Sequence, residues 1–314
     1  MELIVARDVK QAFLDVGFEY CGIAPYQVLS QQQHRFEVSI AAGYHARMGY
    51  LARNIEKRFD PAALLGNCQS VIVLLFNYYT GLAQKSNYKI SKYGFVRDYH
   101  RLLEEQMKKG MQRLLQSYSE LQYRCVVDRF PISEKSWAVA AGCGFLGKNG
   151  LLVTPLGSFF NIGVILINKK VDQYDTPVEQ NQCGTCTRCI DHCPTQAIVA
   201  PYYVDAERCL SYQTLSNKTP DYALISEHEW LFGCDVCQDV CPHNKKIKIN
   251  ELSVQNSSLF LQLGNREFET MSKTDFDLYF KDTPFHNKYD QMVSMIKHKM
   301  EKTDDRKSKT SSSE

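Results

Sequence analysis

No stretch of this sequence stays apolar for long. The longest uninterrupted hydrophobic run, VIVLLF at 71–76, is far short of the roughly 20 residues a helix needs to cross a bilayer, so no membrane partner is expected. The opening MELIVARDVKQAFLDVGF has neither the apolar block nor the small-residue cleavage site of a secretory leader, which makes the cytoplasm the expected compartment. A surplus of one charge is missing too. With 37 Lys and Arg against 35 Asp and Glu the net charge is +2, and bulk electrostatics give no argument for a polyanionic partner. Apolar residues are absent altogether from EKTDDRKSKTSSSE (301–314), which is expected to be a disordered tail. What remains is the composition of a soluble globular protein, 44% hydrophobic and 23% charged over 314 residues. That length suffices for two domains, each with its own core.

Cysteine, by contrast, is abundant and unevenly spread. Of the 12 cysteines, eight fall between 183 and 241. In a reducing compartment such a density reads as metal-binding or redox-active before it reads as a disulfide framework. The other four, Cys21, Cys68, Cys125 and Cys143, sit among apolar neighbours and read as small buried hydrophobes. The eight spell Cys183-x2-Cys186-x2-Cys189-x3-Cys193-Pro194, then Cys209, then Cys234-x2-Cys237-x3-Cys241-Pro242. In the bacterial ferredoxin pattern three closely spaced thiolates hold one cluster and the fourth, before proline, turns to the other. Cys183, Cys186, Cys189 and Cys241 are therefore assigned to one [4Fe–4S] cluster, and Cys193, Cys209, Cys234 and Cys237 to a second. Paired CxxC units also bind zinc, but the full run with its second CxxCxxxCP is a much more specific signature. The insertion LSYQTLSNKTPDYALISEHEWLFG between Cys209 and Cys234 exceeds what a minimal ferredoxin has there and is free to reach toward something else.

A two-cluster module needs only a fraction of this length, so the first 170 residues must house what the electrons are for. VIVLLF (71–76), YRCVV (123–127) and IGVILI (162–167) are short β-branched runs suited to buried strands. RLLEEQMKKGMQRLLQSYSELQ (101–122) places Leu103, Met107, Met111, Leu114, Tyr118 and Leu121 at helical spacing. Asp60-Pro61 offers a helix N-cap, and further helix is expected around 273–300. The polar, proline-broken KKVDQYDTPVEQNQ (169–182) reads as a domain boundary. These signals divide the chain into a catalytic domain at 1–172, a two-cluster domain at 173–245, a short helical region at 246–300 and the tail at 301–314. An apolar strand ends at Asp128, the kind of place where α/β folds present catalytic groups. Glycines follow at 142, 144, 147, 150 and 157, letting backbone approach a large planar or phosphate-bearing ligand. The segment is a poor phosphate loop: Walker spacing is missing, Lys148 precedes Asn149, and GxGxxG at 142–147 opens no clear βαβ unit. A purely structural glycine-rich turn is an equal reading.

Several longer motifs point further. EKRFDPAALL (56–65), KYGFVRDYH (92–100), DRFPISEKSWAVAAGCGFLGKN (128–149), LGSFFNIGVIL (156–166), CLSYQT (209–214) and CDVCQDVCPHN (234–244), with both cysteine runs, resemble the epoxyqueuosine reductase family of cobalamin-dependent iron–sulfur enzymes. The resemblance implies a mixed α/β (α+β) chain: a nitroreductase-like domain holding base-off cobalamin, cob(II)alamin at rest, joined to a two-cluster ferredoxin-like domain. It implies reduction of epoxyqueuosine in the anticodon of tRNA, an external donor such as a ferredoxin or flavodoxin, and a monomer. Asp128 matches the position of the family's proton donor. Arg129 departs from the small hydroxyl residue usual there, and about 70 residues after Cys241 are too few for the helical repeats some members carry.

Reducing an epoxide to an alkene takes two electrons and two protons and releases water, and the departing oxyanion needs an acid beside it. Asp128 could serve only if burial raised its pKa by about 3 units from the ordinary carboxylate value. A strand-ending ion pair with Arg129 or another cation is the alternative. Under the resemblance Arg58, Lys148, Asn149, Ser158, Ser211, Tyr212, Gln213, Asp235 and Val236 become candidate cofactor contacts. Arg97, Tyr99 and His100 become candidates for the cleft around cofactor and substrate. Lys218, Lys245, Lys246 and Lys248, and a second group at Lys288, Lys297 and Lys299, are candidate RNA contacts. Two rival functions stay open: a non-catalytic two-cluster electron carrier, and a reductive dehalogenase-like cobalamin enzyme.

Overall fold

Four strands build the central sheet: β1 (Tyr20–Pro25), β2 (Ser70–Asn77), β3 (Tyr123–Val126) and β4 (Phe160–Ile167). Their order is β1-β2-β4-β3, antiparallel throughout. The computed structural model describes residues 3–128, 130–178 and 182–311, of which 303–311 by backbone alone. β2 is buried along its whole length, which is why it reads as a continuous apolar run and not as an alternating one. Ile72, Leu74 and Phe76 face one core with Phe13, Met107 and Met111; Val71, Val73 and Leu75 face the other with Phe59 and Trp137. Helices α1 (Ala6–Leu14) and α2 (Tyr99–Ser117) cover the first face, and α3 (Glu134–Ala140) carries Trp137 onto the second. Trp137 is fully buried, so truncating it to alanine should cost about 3–5 kcal/mol.

The apolar runs predict β2, β3 and β4, whereas β1 carries no such signal because glycine and alanine stand where branched residues would. Its Gly22 is required. A Cβ there would stand 2.3 Å from the Ala141 carbonyl oxygen and 2.7 Å from Cys143 Sγ. Helix α2 starts two residues before the expected 101 because Asp98 caps it, accepting the His100 N–H at 3.0 Å. It ends at Ser117, so Tyr118 and Leu121 belong to the turn that follows. Asp60 caps only a single 3-10 turn, Pro61–Ala63. The polar stretch expected to separate domains is strapped to the N-terminal elements: Asp172 accepts the Ala6 N–H at 2.8 Å, and Asp175 accepts the Ile23 N–H at 2.9 Å.

The long insertion folds into α4 (Leu210–Leu215), α5 (Tyr222–Ser226) and a strand, Trp230–Phe232, that pairs in parallel with Lys89–Ile90. Its target is the C-terminal region. Phe232 stacks on Phe285 with centroids 4.7 Å apart, and Phe260 and Phe276 stack on Phe280. Ile90 and Phe95 join the same core, so the C-terminal helices share their interior with both preceding regions. The final helix, α6 (Tyr289–Ser311), runs through most of the stretch expected to be a disordered tail. Its early turns are anchored by Met292, Met295 and Ile296, all buried, and a helix once anchored extends cheaply through charged residues of good propensity. Residues 312–314 lie outside the described part.

Candidate active site and cluster cradles

The eight clustered thiols separate in space into the two sets expected from their spacing. Burial, and then the neighbouring Cys183, Cys241 and Cys186, push the Cys189 thiol up to about 11, and Cys241 feels Cys183 and Cys186. In the other set, burial first, and then Cys209 and Cys193 among its neighbours, raise Cys234 to about 12, while Cys237 feels Cys234 and Cys209. Cys193 thus lies near Cys234, and Cys241 near Cys183 and Cys186. Cys183, Cys186, Cys189 and Cys241 together line one cavity of about 150 Å³. Among the described residues no three Cys, His, Asp or Glu side chains gather tightly enough to hold a single metal ion.

Asp128 sits two residues beyond β3 in a left-handed conformation, φ 46°, with its side chain 63% exposed. The first turn of α2 reaches it. The Tyr99 hydroxyl donates to Asp128 Oδ2 at 2.7 Å, and His100 Nε2 stands 3.5 Å from the same oxygen. The other ring nitrogen, His100 Nδ1, lies 2.7 Å from Asp98 Oδ1, so His100 bridges two carboxylates. The Asp128 N–H in turn donates to Glu134 Oε1 at 3.1 Å. The charge balance follows the ion-pair alternative left open by the sequence. Partial desolvation works to raise the Asp128 pKa, but hydrogen bonds from His100 and Tyr99 outweigh it and hold the carboxyl below the usual range. Desolvation likewise opposes charge on His100, yet its two carboxylate partners push it up to about 9. The cation facing Asp128 is therefore His100, and Arg129 lies outside the described residues.

Helix α3, which begins at Glu134, also walls a large cavity, about 920 Å³, lined among others by Arg35, Phe36, Phe59, Lys135, Leu146 and Tyr202. This volume is at the upper end of small-molecule sites. Beside it Arg58 lies with its guanidinium 5.8 Å from the Phe36 ring centroid and its buried Nε without a partner. A buried donor left unsatisfied costs about 1–3 kcal/mol.

The other candidate residues lie elsewhere. Lys148 is buried and donates to the Gly184 and Cys186 carbonyls at 2.8 and 2.9 Å, clamping the loop of the first cysteine set. Asn149 hydrogen-bonds the Cys237 sulfur. Ser158 accepts from Gln238 and Asn244 at 3.1 and 2.9 Å, joining the sheet to the second cysteine run. Asp235 is buried and takes the Ser91 hydroxyl and the Lys92 N–H; Val236 opens the short helix Val236–Asp239 beside it. Tyr212 accepts the Arg47 N–H at 3.2 Å, and Gln213 is spent on Glu207, Asn217 and Asp221. Ser211 is half-buried on α4. Arg97 pairs with Glu105 at 2.7 Å, away from Asp128.

Glycines expected to face a ligand mostly face protein. A Cβ on Gly144 would stand 2.2 Å from the Val153 carbonyl oxygen, and only Gly150 lines the large cavity. Asp98, Glu134, Lys135 and the Phe36–Tyr50 region carried no sequence signal of their own. Asp98 read simply as part of a motif, although a D-x-H at a helix start is itself an N-cap pattern.

Comparison with known proteins identifies the family and the fold. A family model described as "Epoxyqueuosine reductase QueG, DUF1730" matches residues 58–129, and one described as "4Fe-4S double cluster binding domain" matches 182–244. An epoxyqueuosine reductase of Cyclobacterium marinum is 38% identical over 282 residues, covering 87% of this chain and 89% of the relative. One from Leadbetterella byssophila is 40% identical over 76% of this chain and 80% of its own length. The fold matches a crystal structure of epoxyqueuosine reductase with an epoxyqueuosine-modified tRNA-Tyr stem loop. The TM-score is 0.84 at 24% identity, over 94% of this chain and 80% of that one. With identity at this level across nearly the whole of its length, the chain belongs to the epoxyqueuosine reductase family.

Proposed function

We propose that the protein reduces the epoxide of epoxyqueuosine in tRNA to the alkene of queuosine, with two electrons and two protons consumed and water released. The observation that carries this reading is the meeting of Asp128, Tyr99 and His100 beyond a sheet strand, in a chain whose second half carries the eight clustered thiols. The rival electron carrier needs no such acid. The large cavity beside α3 suits a cobalamin: Phe36, Phe59, Val139 and Leu146 supply apolar wall, and Arg35, Lys135 and Ser136 supply donors for an amide-bearing periphery. Bound there, cobalamin would supply a low-potential cobalt able to pass electrons to carbon, fed through two [4Fe–4S] clusters by an external one-electron donor.

The chain's own residues handle the proton. At neutral pH the proton of the pair resides on His100, and Asp128 is the carboxylate that touches it. When the C–O bond breaks and negative charge grows on oxygen, Asp128 can pass a proton only as fast as His100 returns one. Asp98 keeps the imidazole oriented for that transfer. Tyr99 fixes the carboxylate rotamer through its hydroxyl.

RNA reaches this point across a surface to which Lys218 belongs. Lys218 is exposed and precedes Thr219, which takes a hydrogen bond from Arg47. Arg47 lies on the loop whose Tyr50 feels the charge of Asp128. Lys246 and Lys248 are exposed as well, whereas Lys288 and Lys299 are engaged, each donating to backbone carbonyls of the insertion. Protein reconstituted anaerobically with iron, sulfide and cobalamin should convert epoxyqueuosine-containing tRNA to queuosine-containing tRNA under dithionite. Loaded protein that binds the RNA but forms no product would overturn the assignment.

A further inference from the structure

Two electrons per turnover must enter from outside, and among the described residues one cleft borders the outer thiol set. A cleft of about 540 Å³ is lined by Tyr79, Lys92, Phe159, Arg188, Lys245 and Ile247, with Cys241 among its walls. Cys241 and Arg188 also line the small cavity of the first cysteine set, so one thiol separates the cleft from the cluster. The loop around this set is open to solvent: Gly184, Thr185, Thr187 and Arg188 are all exposed. The second set is further in, with Cys237 bonded to Asn149. The middle of the cleft is aromatic, Tyr79 stacking on Phe159 at 5.4 Å. Its charge is carried by Lys92, Arg188 and Lys245 against a single carboxylate, Asp239, which Lys92 already pairs at 2.5 Å.

We propose that this cleft is the docking site of a small acidic electron-carrier protein, which delivers electrons singly to the outer cluster beside Cys241. An apolar centre with a basic rim is the complement of such a carrier, because opposite charge steers encounter while apolar contact holds the pair briefly. At each visit the reduced carrier loses one electron and the outer cluster gains it, passing from the 2+ to the 1+ state. Two visits supply one epoxide, and the protons arrive separately at Asp128. An RNA strand would also be drawn to cations and aromatics. The carrier is favoured because electron tunnelling falls steeply with distance and the cleft wall is itself a cluster ligand.

The proposal rests on the two-cluster reading, and the test separates the two. Cluster-loaded protein is mixed with reduced flavodoxin, a small acidic one-electron carrier, and bleaching of the cluster absorption is followed by anaerobic stopped flow. Calorimetry gives the affinity for oxidised flavodoxin. Lys245→Glu should slow bleaching by about tenfold or more at low salt, weaken flavodoxin binding to match and flatten the salt dependence. Lys109→Glu, an equal change of net charge on the exposed side of α2, should do neither, and dithionite should bleach all forms alike. Arg188→Gln, with iron content checked, should repeat the effect more weakly. Unchanged flavodoxin kinetics in Lys245→Glu would overturn the docking site. So would a loss of tRNA stem-loop affinity with donor kinetics intact, which would make the cleft an RNA surface. Failure of dithionite itself to bleach the protein would refute the clusters, and the docking site with them.

Discussion

His100 holds its proton because two carboxylates share it, and its partner Asp128 is ionised for the same reason. His100 is raised from an ordinary value near 6.5 to about 9, so its contribution to stability is full below about pH 6.5 and is lost as pH rises through about 9. Asp128 is depressed, so its contribution is present above the ordinary carboxylate value and is lost as pH falls through its folded pKa. The pair is intact between these limits. Turnover per unit of bound tRNA should therefore fall above about pH 9, and in His100→Gln that alkaline limb should disappear together with most of the rate. An unmoved limb in a pH profile of the variant would assign the proton to another group. Asp128→Asn is the clean partner experiment, because asparagine accepts the left-handed backbone that alanine would strain. It should keep iron and cobalamin while losing about 100-fold or more in single-turnover rate. The positions of Asp128, Tyr99 and His100 were legible as motif residues. The direction of the pKa was not, since it depends on a contact across 29 positions of sequence that only the start of α2 creates.

Helices α4 and α5 end against lysines of the C-terminal region, and sequence charge alone misreads those lysines. Lys288 Nζ donates to the Leu215 carbonyl at 2.7 Å, and Lys299 Nζ to those of Ile225 and His228. A cation at a helix C-terminus meets the negative end of the dipole as well as unpaired carbonyls. Burial lowers Lys299 to about 8, as expected of an amine inside protein. Lys299→Met should cost about 1–3 kcal/mol through carbonyls left unpaired, seen as a lower melting temperature, while the salt dependence of tRNA binding stays as in the parent. A flattened salt slope would return Lys299 to the RNA surface. Strands with branched apolar runs and a helix with a 3.6 period were readable because local pattern matches burial. β1 and the glycine-rich turns were not. Their residues are chosen by what presses on them, such as Ala141 against Gly22 and Val153 against Gly144, and such contacts leave no periodicity in the chain.

Across the whole molecule, the proposed routes of electrons and protons come from different directions and meet at one strand end. The outer thiol set borders the basic cleft, the inner set contacts Asn149, and the Asp235 loop beside it is bonded to Ser91 and Lys92. Tyr93, next along, feels the charges of both Asp235 and Asp128 and packs edge-on to Tyr99 at 6.3 Å. Under the proposed function an inner cluster would thus stand between the outer one and the cobalamin. It depends on Cys193, although in sequence that residue closes the run of the outer set. Cys193→Ala should leave the outer cluster in place and destroy the inner one, halving the iron from about eight atoms per chain. The remaining cluster should still be bleached by dithionite, at about half the absorbance change, and no queuosine should form even with cobalamin bound. Iron lost instead from the Cys183, Cys186 and Cys189 set, with the inner cluster and turnover preserved, would show that the ligands do not cross.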